Sequence, residues 1–468
     1  MHPGPIDAYA AKAVQELQGG TGAASIPPGS PVARRRWSLI HSLLFPRDPR
    51  RTPAVGTSPL RRTTQHVVSA EPEVARNRAE KKFAPRRRYR SRVLTPRRRC
   101  LTRLVATATL LALGAAFACR PAWHQDGHRI LFLARAGEER LAIALHDRRD
   151  DTTRVLFTAP SEAMATPLWD STGAHAVVLW ASKGDQGMVT ATTLDPTTAA
   201  TVRTLELPLD DGAEAAFYMA PVAIGSRLFF GDKGVRRVDL RSGETQHERG
   251  ARGEELVLVP FGAGVGWFVA DSKDEQRWQF GELDPETLAR KVLLTPPADC
   301  AWQPLPMPAV SPDTKAIVFP ARERTRDGAT ALLVFAEGRL ERTIPLGNRR
   351  EVDCGSLQWL PDGSGLVAGL ARRGKDGEVA WSLFETTRTG GATRETVVVR
   401  GTPPKDSRVP AAAAFPFVLS PDGRTAAAST AMLAGVADEQ HGLWLVDLAS
   451  PRRTVSRVAF PAPPAERR

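Results

Sequence analysis

The feature that most constrains this chain is a short phrase that returns at near-constant spacing. Trp123-His-Gln-Asp126-Gly127 is followed by Ile130-Leu-Phe132, Val310-Ser-Pro-Asp313 by Ile317-Val-Phe319, Trp359-Leu-Pro-Asp362-Gly363 by Leu366-Val, and Leu419-Ser-Pro-Asp422-Gly423 by Ala426. In such a phrase Pro presets φ, the Asp carboxylate bonds its own backbone and Gly takes the positive-φ position, so each is a tight turn that launches a strand. Weaker copies fill the gaps: Trp169-Asp-Ser-Thr172-Gly173, Ile224-Gly225-Ser and Ala263-Gly264. Anchored at 126, 172, 224, 263, 313, 362 and 422, the units recur every 49 residues or so on average, and a period of about 40 to 50 means stacked or radially arranged units.

Each unit continues alike. A second apolar stretch often ends in Asp, as in Leu141 to Asp147, Val189 to Asp195, Val235 to Asp239, Trp278 to Asp284 and Leu443 to Asp447. Several of these stretches alternate with the period of a half-buried strand. A further strand candidate closes most units, for example Arg154 to Thr158, Val202 to Leu207, Lys291 to Thr295 and Thr396 to Arg400.

The S-P-D-G turn leading into an apolar strand resembles the repeat of TolB-type β-propellers, relatives of the WD-repeat propellers, over about residues 121–460. The expected fold is therefore all-β: a β-propeller of seven four-stranded blades, with six or eight left open by the weak third and fourth phrases. The repeated Asp126, Gly127, Thr172, Gly173, Gly225, Asp313, Asp362, Gly363, Asp422 and Gly423 are expected to shape turns, and the Trp residues to pack between blades.

The net charge of +13 first suggests a nucleic-acid binder, but it is unevenly placed. Residues 1–100 hold 21 Lys and Arg against 6 Asp and Glu, and the rest holds 43 against 45. The propeller segment is nearly neutral and carries no basic footprint, so no nucleic-acid partner is expected for it. Residues 1–96, rich in Pro, Gly, Ser, Thr and Arg, cannot bury enough apolar surface to offset their ordering entropy. Two readings stand for them: a disordered basic tail, or a segment outside a true translation start near Val93 or Leu94.

Residues 97–119 have an export layout. Arg97-Arg98-Arg99 precede the uncharged stretch Leu104 to Ala118, and small residues lead to Cys119. Fifteen residues make roughly 23 Å of helix, short of the hydrocarbon core of about 30 Å. Ala116-Phe117-Ala118-Cys119 resembles a bacterial lipobox, which implies cleavage before Cys119 and lipidation there. Ordinary cleavage after Ala118 and an uncleaved single-pass anchor are the alternatives. In each case the basic flank stays cytoplasmic and the propeller, residues 120–468, lies outside.

Cys300 and Cys354 fall in adjacent units, either as a disulfide in an oxidising compartment or as two free thiols. His124 and His128 flank Asp126 on a turn rather than a helix, a poor metal geometry. Gly262-Ala-Gly264-Val-Gly266 imitates a phosphate loop but opens a strand, so its glycines serve a turn or bulge. Asp210-Asp211 with Glu214, and Arg322-Glu323-Arg324-Thr-Arg326-Asp327, read as solvated loops. No nucleophile elbow, zincin, P-loop or C-x-x-C motif occurs. The expectation is an exported, membrane-attached, monomeric propeller that binds or scaffolds protein partners in the cell envelope, without a cofactor and without enzymatic activity. The alternative is an enzyme or a carbohydrate- or ion-binding sensor centred on the channel.

Overall fold

The computed structural model describes residues 120–460, except 137–139, 161–162, 183–186, 210–220, 232, 251–253, 272–276, 297–299, 306, 326–327, 404–414, 432 and 434. The basic segment, the short apolar helix expected over 97–119 and Cys119 lie outside these residues.

Seven antiparallel sheets follow one another along the chain, each hydrogen-bonded in sequence order. Blade 1 is β1 (Ala122–Trp123), β2 (Arg129–Arg135), β3 (Leu141–Asp147) and β4 (Thr152–Thr158). Blade 2 is β5 (Met164–Trp169), β6 (Ala176–Ala181), β7 (Met188–Leu194) and β8 (Thr201–Pro208). Blade 3 is β9 (Val222–Ile224), β10 (Arg227–Gly231), β11 (Gly234–Asp239) and β12 (Thr245–Arg249). Blade 4 is β13 (Glu254–Phe261), β14 (Gly264–Asp271), β15 (Trp278–Leu283) and β16 (Arg290–Leu294). Blade 5 splits its first strand into β17 (Trp302–Pro304) and β18 (Ala309–Val310), which both pair with β19 (Ala316–Glu323), and adds β20 (Ala329–Ala336) and β21 (Arg339–Asn348). Blade 6 is β22 (Val352–Trp359), β23 (Gly365–Arg373), β24 (Val379–Thr387) and β25 (Thr393–Gly401). Blade 7 is β26 (Phe417–Leu419), β27 (Thr425–Ser429), β28 (Leu443–Asp447) and β29 (Val455–Arg457).

First strands of successive blades adjoin, β13 beside β18, β18 beside β22, β22 beside β26 and β26 beside β1, so they form the inner wall of the ring. Second and third strands have a neighbouring blade on both faces. They are accordingly buried along nearly their whole length, as in β2, β20 and β23, which is why they read as continuous apolar runs. Fourth strands are at the perimeter, and the exposed large apolar side chains among the described residues all lie on them: Val155, Val202, Val292, Leu293, Leu340 and Val397. Between blades 4 and 5 the core is aromatic, with Trp278 5.1 Å from Phe319 and 5.9 Å from Phe335.

Both families of turns that the sequence announced lie on one face, since first-to-second and third-to-fourth connections of an antiparallel blade share an end. In the first family the Asp accepts the N–H two residues on, at 2.9 Å for Asp362 and 3.0 Å for Asp422. In the second, Asp239, Asp284 and Asp447 do the same at 2.8 to 2.9 Å, which explains the Asp that ends so many third strands.

The ring closes without exchange of a strand, because blades 1 and 7 are each built from contiguous chain. Trp123 Nε1 donates to Val418 O at 3.1 Å and Arg120 Nε to Phe417 O at 3.2 Å. Ile130, Phe132, Ala427, Leu443 and Val458 form one buried cluster across the seam. On the face opposite the turns, the connection 430–442 of blade 7 reaches back over blade 1. Ala431 joins the core between blades 1 and 2, Arg135 Nε donates to Ala431 O at 3.0 Å, and His441 Nδ1 lies 2.6 Å from Thr430 O. No helix among the described residues is long and apolar enough to cross a membrane.

Two predictions follow from this packing. Gly423 has φ +70°, and a Cβ there would meet Pro361 of blade 6 at 2.7 Å, whereas Gly225 has φ +60° and nothing within 4 Å. Gly225→Ala is expected to cost about 1 kcal/mol from backbone strain alone, and Gly423→Ala about 2 to 3 kcal/mol. Equal losses in urea denaturation would show that the inter-blade contact contributes nothing. Burial holds His146 and His441 below the usual imidazole range. The unfolded chain then binds protons that the folded chain refuses, so stability is full above a pH of about 6.5 and falls as pH drops through the lowered folded values. Melting temperature should rise from pH 5 to 7, with a shallower rise in His441→Gln; a slope unchanged by that substitution would remove His441 as its source.

Candidate functional site

The turn residues are spent on building the ring, and they make it by resting each blade on the one before. A Cβ on Gly363 would lie 3.9 Å from Pro312 Cδ of blade 5, and one on Gly127 would lie 4.0 Å from Pro421 Cδ of blade 7. Where blade 1 lacks the Pro, Gln125 Nε2 donates to Thr172 O at 2.9 Å and His124 Nε2 sits 3.0 Å from Gly173 O, its ring edge-on to Trp169 at 4.8 Å. His124 is thus an inter-blade wedge, and no group of three or more His, Cys, Asp or Glu among the described residues could hold a metal.

The Trp residues bridge the same interfaces at their inner edge. Trp169 Nε1 donates to Ala122 O at 2.9 Å and Trp359 Nε1 to Ala309 O at 3.1 Å, each on the preceding blade. An arginine covers the ring from outside: Arg148 over Trp123 at 5.5 Å, Arg388 over Trp359 at 6.0 Å.

Four details differ from the expected turns. In blades 5 and 7 a Ser hydroxyl donates to the Asp, from Ser311 to Asp313 at 2.5 Å and from Ser420 to Asp422 at 2.6 Å. In blade 2 the partners trade places: Thr172 Oγ1 donates to Asp170 Oδ1 at 2.9 Å, so the carboxylate sits two residues before the position taken by Asp elsewhere. In blade 5 Thr314 holds φ +58° where the other strong phrases have Gly. In blade 4 the positive φ falls on Gly262 rather than on Gly264, which is inside β14.

At the seam between blades 7 and 1 the turns leave an open groove of about 940 Å³ lined by Gln125, Asp126, His128, Arg148, Pro421, Asp422, Arg424 and Asp447. Its carboxylates are already engaged. Asp126 accepts from His128 N, Arg129 N and Arg129 Nε at 2.9, 3.2 and 2.9 Å. Burial alone would raise its carboxyl, but these bonds outweigh burial and hold it far below the usual carboxylate range. Asp422, also opposed by burial, is held low by Ser420 and Arg424 N, and Asp447 bonds Ala449 N. Among these lining residues, the polar groups that face solvent are Gln125, His128, Arg148, Asp422 and Arg424, all exposed. The groove therefore offers two guanidinium groups and an imidazole beside carboxylates that bond within their own turns. Repeat reading located Asp126 and Asp422 but missed Arg148 and Arg424, whose only signal was a basic residue following a strand end.

The cysteines are separate thiols, which corrects the disulfide considered between Cys300 and Cys354. Each thiol donates to the carbonyl two residues on, Cys300 to Trp302 O at 3.5 Å and Cys354 to Ser356 O at 3.6 Å. The expectation of a solvated loop at Arg322 and Glu323 is also corrected: both are in β19, and Arg322 reaches buried Asp353 because its alternation places it toward blade 6.

With this architecture in view, the chain can be set beside known proteins. No family model and no curated protein matches it. The chain folds as a seven-bladed β-propeller. Among solved structures it is similar to hydrazine synthase of Kuenenia stuttgartiensis, at 14% identity over 60% of this chain and 76% of that one, TM-score 0.42. It is similar to TolB from Acinetobacter baumannii, at 14% identity over 58% and 63%, TM-score 0.39. It is also similar to an oligogalacturonate lyase from Vibrio parahaemolyticus, at 12% identity over 70% and 84%, TM-score 0.42. These likenesses are of fold alone.

Burial raises the Cys354 thiol to about 12, so it is protonated and inert at neutral pH. Peptide mapping after brief alkylation of the native protein should find modified Cys300 and unmodified Cys354, with both modified in urea. Equal native labelling would contradict the buried placement of Cys354.

Proposed function

We propose that this chain is an exported, membrane-attached propeller that binds or scaffolds protein partners in the cell envelope. The observation that carries the binding part is the turn-face groove, where the carboxylates are internally satisfied and His128, Arg148 and Arg424 remain exposed. Such a surface presents guanidinium groups for hydrogen-bonded pairing with carboxylates of a protein segment. The rigid ring supplies the scaffold on which loop and turn residues do the recognition.

The export part rests on residues 97–119, with Arg97 to Arg99 on the retained side and Cys119 as the lipid-bearing residue after cleavage. In this reading residues 1–96 are not part of the mature protein, residues 120–468 form the propeller, and the protein acts as a monomer.

Two measurements test the two parts. The intact mass of the protein from its own membranes is expected to begin at Cys119 with added lipid; a mass that retains residues before Cys119 would replace the lipoprotein with a single-pass anchor. For binding, cross-linking in intact envelopes is expected to trap a protein whose yield falls about tenfold in the Arg148→Glu, Arg424→Glu double variant, since two charge reversals act on one contact. An unchanged yield would move the contact surface away from the groove.

A further inference from the structure

On the face opposite the turns, where blade 5 meets blade 6, two arginines share one carboxylate. Asp353, the second residue of β22, is only 5% exposed. Its Oδ1 accepts from Arg322 Nη2 at 2.5 Å and its Oδ2 from Arg373 Nη2 at 2.7 Å. Two guanidinium groups on one carboxylate leave a positive charge in excess.

Arg324 adds a second. Its N–H bonds Ala301 O at 3.0 Å, so the backbone stays in line with the ladder between β17 and β19. Alternation along an extended chain then sets its side chain on the same side as that of Arg322.

The donors of this pair are not all used. Arg322 Nε and Arg324 Nε and Nη2 are shielded from solvent and have no acceptor among the described residues. Guanidinium N–H groups withdrawn from water without an acceptor are unfavourable, and such groups in a folded protein call for a partner. The cluster is not sealed, since the Arg373 side chain is 41% exposed while that of Arg322 is 15% exposed.

We propose that Arg322 and Arg324 form a binding site for a carboxylate-bearing ligand, which enters beside Arg373 from the face opposite the turns. The planar fork of a guanidinium matches a carboxylate in two parallel hydrogen bonds. Asp353 already shows the cluster holding one carboxylate, through one Nη2 from each of two arginines. Its negative charge also disfavours a phosphate dianion at the same place relative to a monoanion. The ligand carboxylate comes either from a small organic acid or from the C-terminus of a peptide, and the site stands apart from the turn-face groove.

The test is isothermal titration of the full chain with succinate, with a tripeptide bearing a free C-terminal carboxylate, with the same tripeptide amidated, and with inorganic phosphate. Saturable binding below about 10 mM is expected for succinate or the free-acid peptide, weakened at least tenfold in Arg324→Gln and unchanged in Arg339→Gln, a change at an exposed perimeter arginine outside both surfaces. Binding of succinate assigns a small acid; binding of the free-acid peptide alone assigns a chain terminus. Arg324→Lys, which keeps the charge and loses the fork, guards against a misfolded Gln variant and should bind with intermediate affinity. No saturable binding of either carboxylate, tighter binding of phosphate, or affinity indifferent to both Arg324 variants would overturn the proposal.

Discussion

Everything in this ring depends on the floor that one blade provides for the next. The turn Gly of a blade lies against the turn Pro of its predecessor, at Gly363 with Pro312, Gly423 with Pro361 and Gly127 with Pro421. The inner Trp of the blade donates to the predecessor's first strand. Gly is favoured at all three because φ is positive, and at Gly423 also because a Cβ would meet Pro361 Cδ at 2.7 Å. The turn Gly therefore serves both the local turn and the approach of the neighbouring blade in blades 1, 6 and 7.

Polar chemistry on the turn face is largely consumed by the same design. Asp side chains close turns, Ser hydroxyls bond the Asp, and arginines lie over the Trp rings. The groups left to meet a partner are those that no turn requires. Arg424 and His128 illustrate this at the blade 7 and blade 1 seam. On the other face the balance tips the opposite way: Arg322, Arg324 and Arg373 outnumber the single carboxylate of Asp353.

The fold was legible because its signal is repeated and local. Second strands from Ile130 to Ala134 and from Ala316 to Ala321 follow their turns at once, and the Asp at the end of most third strands marks the next turn. Blade 3 could be recognised only faintly, because its turn is a bare Ile224-Gly225-Ser226-Arg227 hairpin with no carboxylate. The Asp170 and Thr172 exchange was invisible, since a hydroxyl and a carboxylate can swap positions without altering the bond between them. Arg322 and Asp353 are 31 residues apart, and a buried ion pair across blades leaves no periodic trace. The state of Cys300 and Cys354 likewise depended on side-chain direction, which spacing does not encode.

The absence of strand exchange at the seam has a kinetic consequence. Adjacent blades are joined by contacts between residues a few tens of positions apart, 47 for Trp169 with Ala122 and 61 for Leu419 with Gln358, but the seam joins residues 295 to 297 apart. Closing a loop about six times longer costs roughly 1.6 kcal/mol more in chain entropy, and no shared sheet repays it in advance. Six interfaces can zip up progressively along the chain while the seventh waits for both ends to meet. Until then the open arc exposes the apolar flanks of its first and last blades, Ile130 and Phe132 at one end, Ala427 and Leu443 at the other. Those two flanks are complementary to each other, so an arc that fails to close on itself carries the surface needed to join another copy end to end.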